Sequence, residues 1–135
     1  MTDCIFCNIV AGKSPAFKLR ENDEFIALFD LFPSAKGQTL VMPKKHYESD
    51  LFLIKEGAFY QRYLLATKEV VDLLKKGLGV ARVVMVMEGL GVPHLHLKLY
   101  PLYEGVRLSI DGGEKADFEE LGNLQMQIIN AAALN

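Results

Sequence analysis

The stretch PHLHLKLYP, residues 93–101, alternates polar and apolar side chains without interruption. Side chains on a β-strand point alternately to opposite faces of the sheet, so this alternation predicts a strand with two chemically different faces. One face would carry Leu95, Leu97 and Leu99, and the other His94, His96, Lys98 and Tyr100. Two imidazoles and an ammonium in a row could hold a phosphate or a metal ion. The alternative is a half-buried strand whose polar side merely meets water.

Length and composition predict one folded domain over residues 1–135. Half of the residues are hydrophobic, which is too many for a disordered chain, and a mean hydropathy of +0.15 favours coverage of some apolar surface by a second subunit. A formal net charge of -2 argues against a partner bound through bulk nucleic-acid charge. A local basic site for one nucleotide remains compatible with this charge.

The N-terminal residues and the cysteines bear on the cellular compartment. Residues 1–7 lack a basic segment leading into an apolar one, and no apolar run reaches membrane-spanning length, so we predict a cytoplasmic protein without a membrane partner. The two cysteines form a C-x-x-C pair, Cys4 and Cys7. In a reducing compartment such a pair indicates a metal site or a redox pair rather than a structural disulfide.

The order of periodic segments predicts an α+β domain. We expect a short helix over residues 4–12, strands over 17–20, 25–30 and 38–42, a long helix over 56–76, a strand over 80–87 paired with the histidine strand, and a last helix from about residue 117. The 80–87 segment is long enough for a central strand. The prediction is one antiparallel sheet of about five strands with helices against one face.

The histidine strand resembles the signature of the histidine triad (HIT) family, in which three histidines alternate with hydrophobic residues. His94 and His96 match the first two histidines, and Lys98 stands in the place of the third. The segments CIFCNIVAGKSP and FDLFPSAKGQTLVMPKKHY also resemble the family, in the same order, so the resemblance covers residues 4–101. It implies a HIT-like fold and a place in the bacterial-type nucleotide hydrolase or transferase branch.

The resemblance also implies a function. Members are expected to be homodimers that bind a purine nucleotide, nucleoside phosphoramidate or dinucleoside polyphosphate and catalyse hydrolysis or transfer at the α-phosphorus. His96 would be the nucleophile that becomes covalently nucleotidylated, and Lys98 would act in place of the third histidine. A neutral imidazole is a competent nucleophile near pH 7, so this assignment is chemically reasonable.

Six further residues are matched to a nucleotide cleft by the resemblance: Phe6, Ile9, Asp30, Leu31, Gln38 and Leu40. Asp30 would accept hydrogen bonds from ribose hydroxyls, although an aspartate that begins a loop can equally cap its own backbone. Phe6, Ile9 and Leu40, with Leu31, would form an apolar slot for the base, but taken singly they are also typical core residues. Gln38 stands where the family often has a histidine.

A structural zinc ion is the cofactor that the resemblance implies, held by Cys4, Cys7, His46 and His94. Two thiolates and two imidazoles suit tetrahedral zinc. A redox-active cysteine pair is one alternative, and a catalytic metal on His46, His94 and His96 is another. If His94 is a zinc ligand, His96 is the only histidine left for chemistry.

Several family positions are altered near the expected site. Besides Lys98 and Gln38, Met87 stands where an asparagine is usual, and the 88–93 loop lacks the usual amide and hydroxyl donors. If each missing donor removes about 3 kcal/mol of transition-state stabilisation, two losses would slow the reaction on the order of ten-thousand-fold. A catalytically weakened nucleotide-binding or dimeric scaffold protein is therefore the alternative function.

Overall fold

Three α-helices and one antiparallel sheet make up the computed structural model, which describes residues 3–134. The elements in chain order are α1 (Ile5–Val10), β1 (Lys18–Glu21), β2 (Phe25–Phe29), β3 (Thr39–Pro43), a 3₁₀ turn (Leu51–Leu53), α2 (Gly57–Leu78), β4 (Val83–Val86), β5 (Leu97–Pro101) and α3 (Phe118–Ala132). This architecture confirms the predicted α+β fold with a five-stranded sheet and a short, a long and a C-terminal helix.

The sheet has the strand order β1-β2-β3-β5-β4, and every neighbouring pair is antiparallel. β5 is therefore an inner strand, but it begins only at Leu97, so His94 and His96 lie in the segment directly before it rather than within the strand that the alternation predicted. The prediction of a long central strand over 80–87 was wrong, because β4 has only four residues and lies at the sheet edge, where Met85 is 48% exposed. The inner position is occupied by β5, whose Leu97 and Leu99 side chains are buried in the core.

Helices α2 and α3 pack together on one face of the sheet. Leu95, Leu97 and Leu99 lie in the core under these helices, as their alternation predicts. The helix α2 ends at Gly79, which adopts the left-handed conformation at φ 67° and donates its N–H to the Lys75 carbonyl. Glycine terminates a helix in this way because it has no Cβ to clash in that conformation.

The short helix α1 lies on the opposite face of the sheet. It contributes Phe6 to a second core with Ile26, Leu28, Leu40 and Met42. The prediction that all helices lie against one face was therefore wrong for α1. Because α1 covers this face, the polar side of the histidine strand is enclosed rather than open to water.

The close packing of α2 against α3 can be tested with a glycine substitution at their contact. A Cβ at Gly77 would lie 2.8 Å from the Ile128 Cα, too close for the helices to keep their separation. We expect Gly77→Ala to lower the free energy of unfolding in urea by about 1–3 kcal/mol. Gly57, also in α2, has open space at its Cβ position, so Gly57→Ala is the matched control. Equal stability of the two variants would contradict this packing.

Within the described residues, no helix combines the length and the apolar character needed to cross a bilayer.

Candidate functional site

Four metal-ligand side chains converge beside β5. Cys4 and Cys7 come from α1 and its N-cap, His46 from the loop after β3, and His94 from the segment before β5. Their ligand atoms all lie within 4.8 Å of one another. His94 Nδ1 is 3.4 Å from Cys4 Sγ and 3.5 Å from Cys7 Sγ, and His46 Nδ1 is 3.3 Å from Cys7 Sγ. The tertiary structure thus assembles the four residues that the sequence predicts as a metal site.

The hydrogen bond at the far side of His94 determines which nitrogen faces the thiols. His94 Nε2 lies 2.9 Å from the carbonyl oxygen of Pro43, which can only accept, so Nε2 carries the proton. The neutral ring then has its lone pair on Nδ1. Protein metal sites commonly orient a histidine ligand through such a second hydrogen bond.

The geometry of this cluster fits tetrahedral zinc. Bonds of about 2.3 Å to sulfur and 2.1 Å to nitrogen place tetrahedral sulfur and nitrogen ligands about 3.6 Å apart, close to the measured separations. Burial and the neighbouring Cys4 raise the pKa of Cys7, and a cation between the sulfurs would reverse that effect. Cys4 and His94 are buried, which is typical of a structural site closed to solvent. The cluster does not include His96, which argues against the alternative of a catalytic metal on His46, His94 and His96.

A cavity of about 260 Å³ lies between α1 and the sheet, next to this cluster. It is lined by Ile5, Phe6, Ile9, Leu28, Phe29, Asp30, Leu31, Phe32, Leu40, Gly91, Val92, His96, Lys98 and Gly112. Both residues predicted to be catalytic line it, as do all the predicted nucleotide-binding residues except Gln38. Its walls are mostly apolar, with polar groups from Asp30, His96 and Lys98.

The orientation of His96 is determined by its own backbone neighbour. His96 Nδ1 lies 2.7 Å from the His94 carbonyl oxygen and must donate to it, which leaves the lone pair of a neutral ring on Nε2. Burial lowers the pKa of His96 and favours the neutral form. The residue is only 3% exposed but lines the cavity, and the Phe6 ring packs edge-on at 5.1 Å. His96 is therefore a neutral, oriented imidazole at the cavity wall.

Lys98 has a partner that the sequence analysis missed. Its Nζ lies 3.2 Å from Glu88 Oε1, and the two side chains are 23% and 32% exposed. Glu88 Oε2 also accepts a hydrogen bond from the Leu90 N–H. Burial raises the pKa of Glu88, but the Leu90 N–H and the Lys98 ammonium outweigh burial and lower it. Glu88 comes close to Lys98 because β4 and β5 pair with Val86 opposite Lys98. No local sequence pattern indicates this contact.

Asp30 caps its own loop and also lies at the cavity, so its position is compatible with both of the roles that the sequence left open. Its Oδ1 accepts the Phe32 N–H at 2.9 Å, which caps the loop, and the residue also lines the cavity. Gln38 does not line the cavity. Its amide donates to Asp30 Oδ2 at 2.8 Å, and its carbonyl accepts the Ser34 N–H at 2.7 Å. Gln38 is thus a buried support for Asp30 rather than a wall residue.

Together these features define an α+β domain whose histidine-bearing strand faces an apolar cavity beside a Cys2His2 cluster. A sequence profile of the HIT domain matches residues 11–105, and the chain belongs to this family.

Relatives support the same assignment over most of the chain. An uncharacterized HIT-like protein of Methanocaldococcus jannaschii is 34% identical over 127 residues, covering 91% of this chain and 92% of the relative. A zinc-bound histidine triad family protein of Mycobacterium smegmatis superposes with a TM-score of 0.77 at 26% identity, covering 99% of both chains. A hypothetical histidine triad nucleotide-binding protein of Sulfolobus tokodaii has a TM-score of 0.74 at 25% identity, covering 96% of this chain and 92% of its own.

Proposed function

We propose that this protein binds a purine nucleotide and acts as a phosphohydrolase or nucleotidyl transferase at the α-phosphate of a nucleoside phosphoramidate or dinucleoside polyphosphate. The observation that carries the proposal is the neutral, oriented imidazole of His96 in a cavity that also holds Asp30 and Lys98. Apolar walls with a few convergent polar groups are typical of small-ligand sites. The nucleotide-binding relative of Sulfolobus tokodaii supports the same ligand class.

The chemistry would proceed in two displacements. The Nε2 lone pair of His96 attacks the α-phosphorus, and the bond from phosphorus to the leaving nitrogen or oxygen breaks with its electron pair on the leaving group. A phosphoramidate nitrogen then takes a proton from solvent and departs as an amine. Water next attacks the phosphorus, the histidine nitrogen regains its lone pair, and the nucleoside monophosphate leaves with the second water proton released to solvent. Dividing one transfer into two steps is ordinary covalent catalysis.

Lys98 and Asp30 would position the substrate. The Lys98 ammonium carries a permanent charge and three donors, so it can neutralise phosphoryl oxygens but gives up a proton poorly near neutral pH. Asp30 can accept ribose hydroxyls with its oxygens while it keeps its loop hydrogen bond. We therefore expect Lys98 to favour substrate binding rather than fast proton transfer to the leaving group.

We propose that zinc occupies the cluster of Cys4, Cys7, His46 and His94. The ion would supply a structural crosslink that joins α1, the loop after β3 and the segment before β5. Since His94 contributes a ligand nitrogen through its ring and orients His96 through its carbonyl, the two sites share one residue. Phe6 also connects the two sites, because it lies between the two cysteines in the sequence and lines the cavity.

A homodimer is the oligomeric state that we propose. Leu64 and Leu65 on α2 and Met85 on the edge strand β4 are exposed in the single chain. The free edge of β4 is suited to pairing with another copy, and the exposed leucines of α2 are further apolar surface that a second copy could cover. The molar mass measured by light scattering during size-exclusion chromatography tests this state.

The test of the function is an assay with adenosine 5′-phosphoramidate and diadenosine polyphosphates. We expect AMP to be released and a nucleotidyl adduct to accumulate on His96, detected by rapid acid quench and peptide mass spectrometry. Turnover without an adduct would overturn the covalent route. The second candidate, a catalytically weakened binding protein, is favoured by the ion pair between Lys98 and Glu88, and it predicts calorimetric binding of AMP with no product over hours.

Glu88 provides a prediction on phosphate affinity. Because its carboxylate pairs with the Lys98 ammonium, it competes with a bound phosphate for the same donors. We expect Glu88→Gln to tighten AMP binding and Lys98→Met to weaken it, each by about 5–30-fold, equivalent to about 1–2 kcal/mol. Isothermal titration calorimetry measures both effects. Lys68→Met, which removes a surface lysine paired with Asp72 on α2, is the control. Weaker AMP binding in Glu88→Gln would contradict the competition.

A further inference from the structure

Residues 109–116, which we call the strap, form a covering segment between β5 and α3. The strap lies outside the 11–105 range that the HIT domain profile matches. Three hydrogen bonds attach it to the loop after β2: Ser34 Oγ donates to the Ser109 carbonyl at 2.7 Å, Gly113 N to the Phe32 carbonyl at 3.1 Å, and Ala116 N to the Leu31 carbonyl at 2.8 Å. The strap therefore supports two residues of the cavity wall, Leu31 and Phe32.

The backbone of the strap packs directly on this loop. A Cβ at Gly113 would lie 1.8 Å from the Pro33 carbonyl oxygen, so only glycine permits the approach. The neighbouring Gly112 lines the cavity itself. The strap is thus part of the cavity wall, contributed by a portion of the chain that the family profile does not cover.

The sheet topology shows which end of the cavity the strap meets. His96 and Lys98 belong to the β5 side, whereas Asp30 follows β2, with β3 between these strands. Adjacent strands are about 4.8 Å apart, so the two sides are separated by roughly 10 Å. The strap contacts Leu31 and Phe32, which continue beyond Asp30. It therefore borders the nucleoside end of the proposed site rather than the phosphate end.

Gly112 leaves free space at this border. A Cβ built there meets no protein atom within 4 Å, and its backbone is outside the left-handed region that would require glycine. The chain could therefore accommodate a side chain at position 112 without a local steric conflict. Because Gly112 itself lines the cavity, a side chain there would stand next to the space that a ligand would occupy.

We infer that the strap is a specificity element and that the missing side chain of Gly112 sets the size of the nucleobase that the cavity accepts. This inference rests on the proposed function. A purine is larger than a pyrimidine by one fused ring, so filling the space beside Gly112 excludes purines first. Binding energy lost through steric obstruction affects the larger ligand more than the smaller one.

The experiment compares adenosine and cytidine 5′-monophosphates by isothermal titration calorimetry. We expect Gly112→Leu to weaken AMP binding by at least tenfold and CMP binding by less than threefold. Gly112→Ala should fall between wild type and Gly112→Leu. Gly57→Leu is the control, because Gly57 also has open space around its Cβ position and begins α2, away from the cavity. It should change neither affinity.

Thermal unfolding of each variant separates obstruction from misfolding. If Gly112→Leu is unfolded, the ratio of the AMP and CMP dissociation constants of Gly112→Ala is compared with that of the wild type. An unchanged ratio overturns the inference. An equal loss for both nucleotides, or no loss for either, in folded Gly112→Leu also overturns it while leaving the proposed function intact. A wild-type protein that binds neither nucleotide would instead remove the proposed function and this inference together.

Discussion

His96→Ala is expected to lower turnover of adenosine 5′-phosphoramidate on the order of a thousandfold or more, because it removes the imidazole nitrogen that we propose as the nucleophile. AMP affinity should change far less, since Asp30, Lys98 and the apolar walls remain. The comparison of kcat with the calorimetric Kd measures this separation. A variant with lost chemistry and preserved binding is the signature of a nucleophile rather than of a structural residue.

His96→Asn is the matched control for packing at this position. Its side-chain amide can still donate to the His94 carbonyl, but it has no basic nitrogen. We therefore expect His96→Asn to fold and bind AMP like the wild type and to remain as inactive as His96→Ala. Residual activity above about a tenth of wild type in either variant would rule out the covalent mechanism, since removal of a true nucleophile costs far more.

The second large effect is expected from loss of the Cys2His2 cluster. Protein purified without added zinc should contain about one zinc per chain by elemental mass spectrometry, and Cys4→Ser with Cys7→Ser should contain almost none. The cluster ties α1 to the segment before β5, and metal binding free energy contributes directly to folding. We expect the double variant to lose at least about 3 kcal/mol of unfolding free energy.

His96→Ala also serves as the control for the metal prediction. His96 lies two residues from His94 but does not belong to the cluster, so its removal should leave the zinc content unchanged. Loss of zinc in that variant would indicate that His96 is a ligand. Wild-type protein without any metal, or a double cysteine variant with full zinc content, would contradict the assignment of the cluster.

The faces of the histidine strand were predictable because strand geometry is local. Alternation placed Leu95, Leu97 and Leu99 in the core, and the structure confirms this. The prediction of a central strand over 80–87 failed because strand length says nothing about position in a sheet. The face of the sheet on which α1 packs could not be predicted either. Six residues with one buried phenylalanine do not indicate which face a helix covers.

The candidate site was predictable only in part. The resemblance named the cluster residues and most of the cavity wall, because those segments match the family pattern. Glu88 and Gly112 carry no local pattern. Glu88 was missed because its ion pair with Lys98 forms only when β4 pairs with β5, and Gly112 because it lines the cavity only in the folded chain. Gln38 was matched to a nucleotide contact by position, but its hydrogen bonds direct it toward Asp30 and Ser34.

By itself the sequence determined the α+β class and the alternation of polar and apolar residues over 93–101, because periodicity acts over neighbouring positions. Its resemblance to the family named the four residues of the metal cluster. Only the tertiary structure decided that His96 carries its lone pair on Nε2, that Glu88 neutralises Lys98 and that the strap borders the cavity. The first depends on the backbone conformation that brings the His94 carbonyl to the His96 ring, and the second on the pairing of β4 with β5. The third depends on hydrogen bonds between the strap and a loop far away in the chain. None of these geometries follows from periodicity or from a short motif.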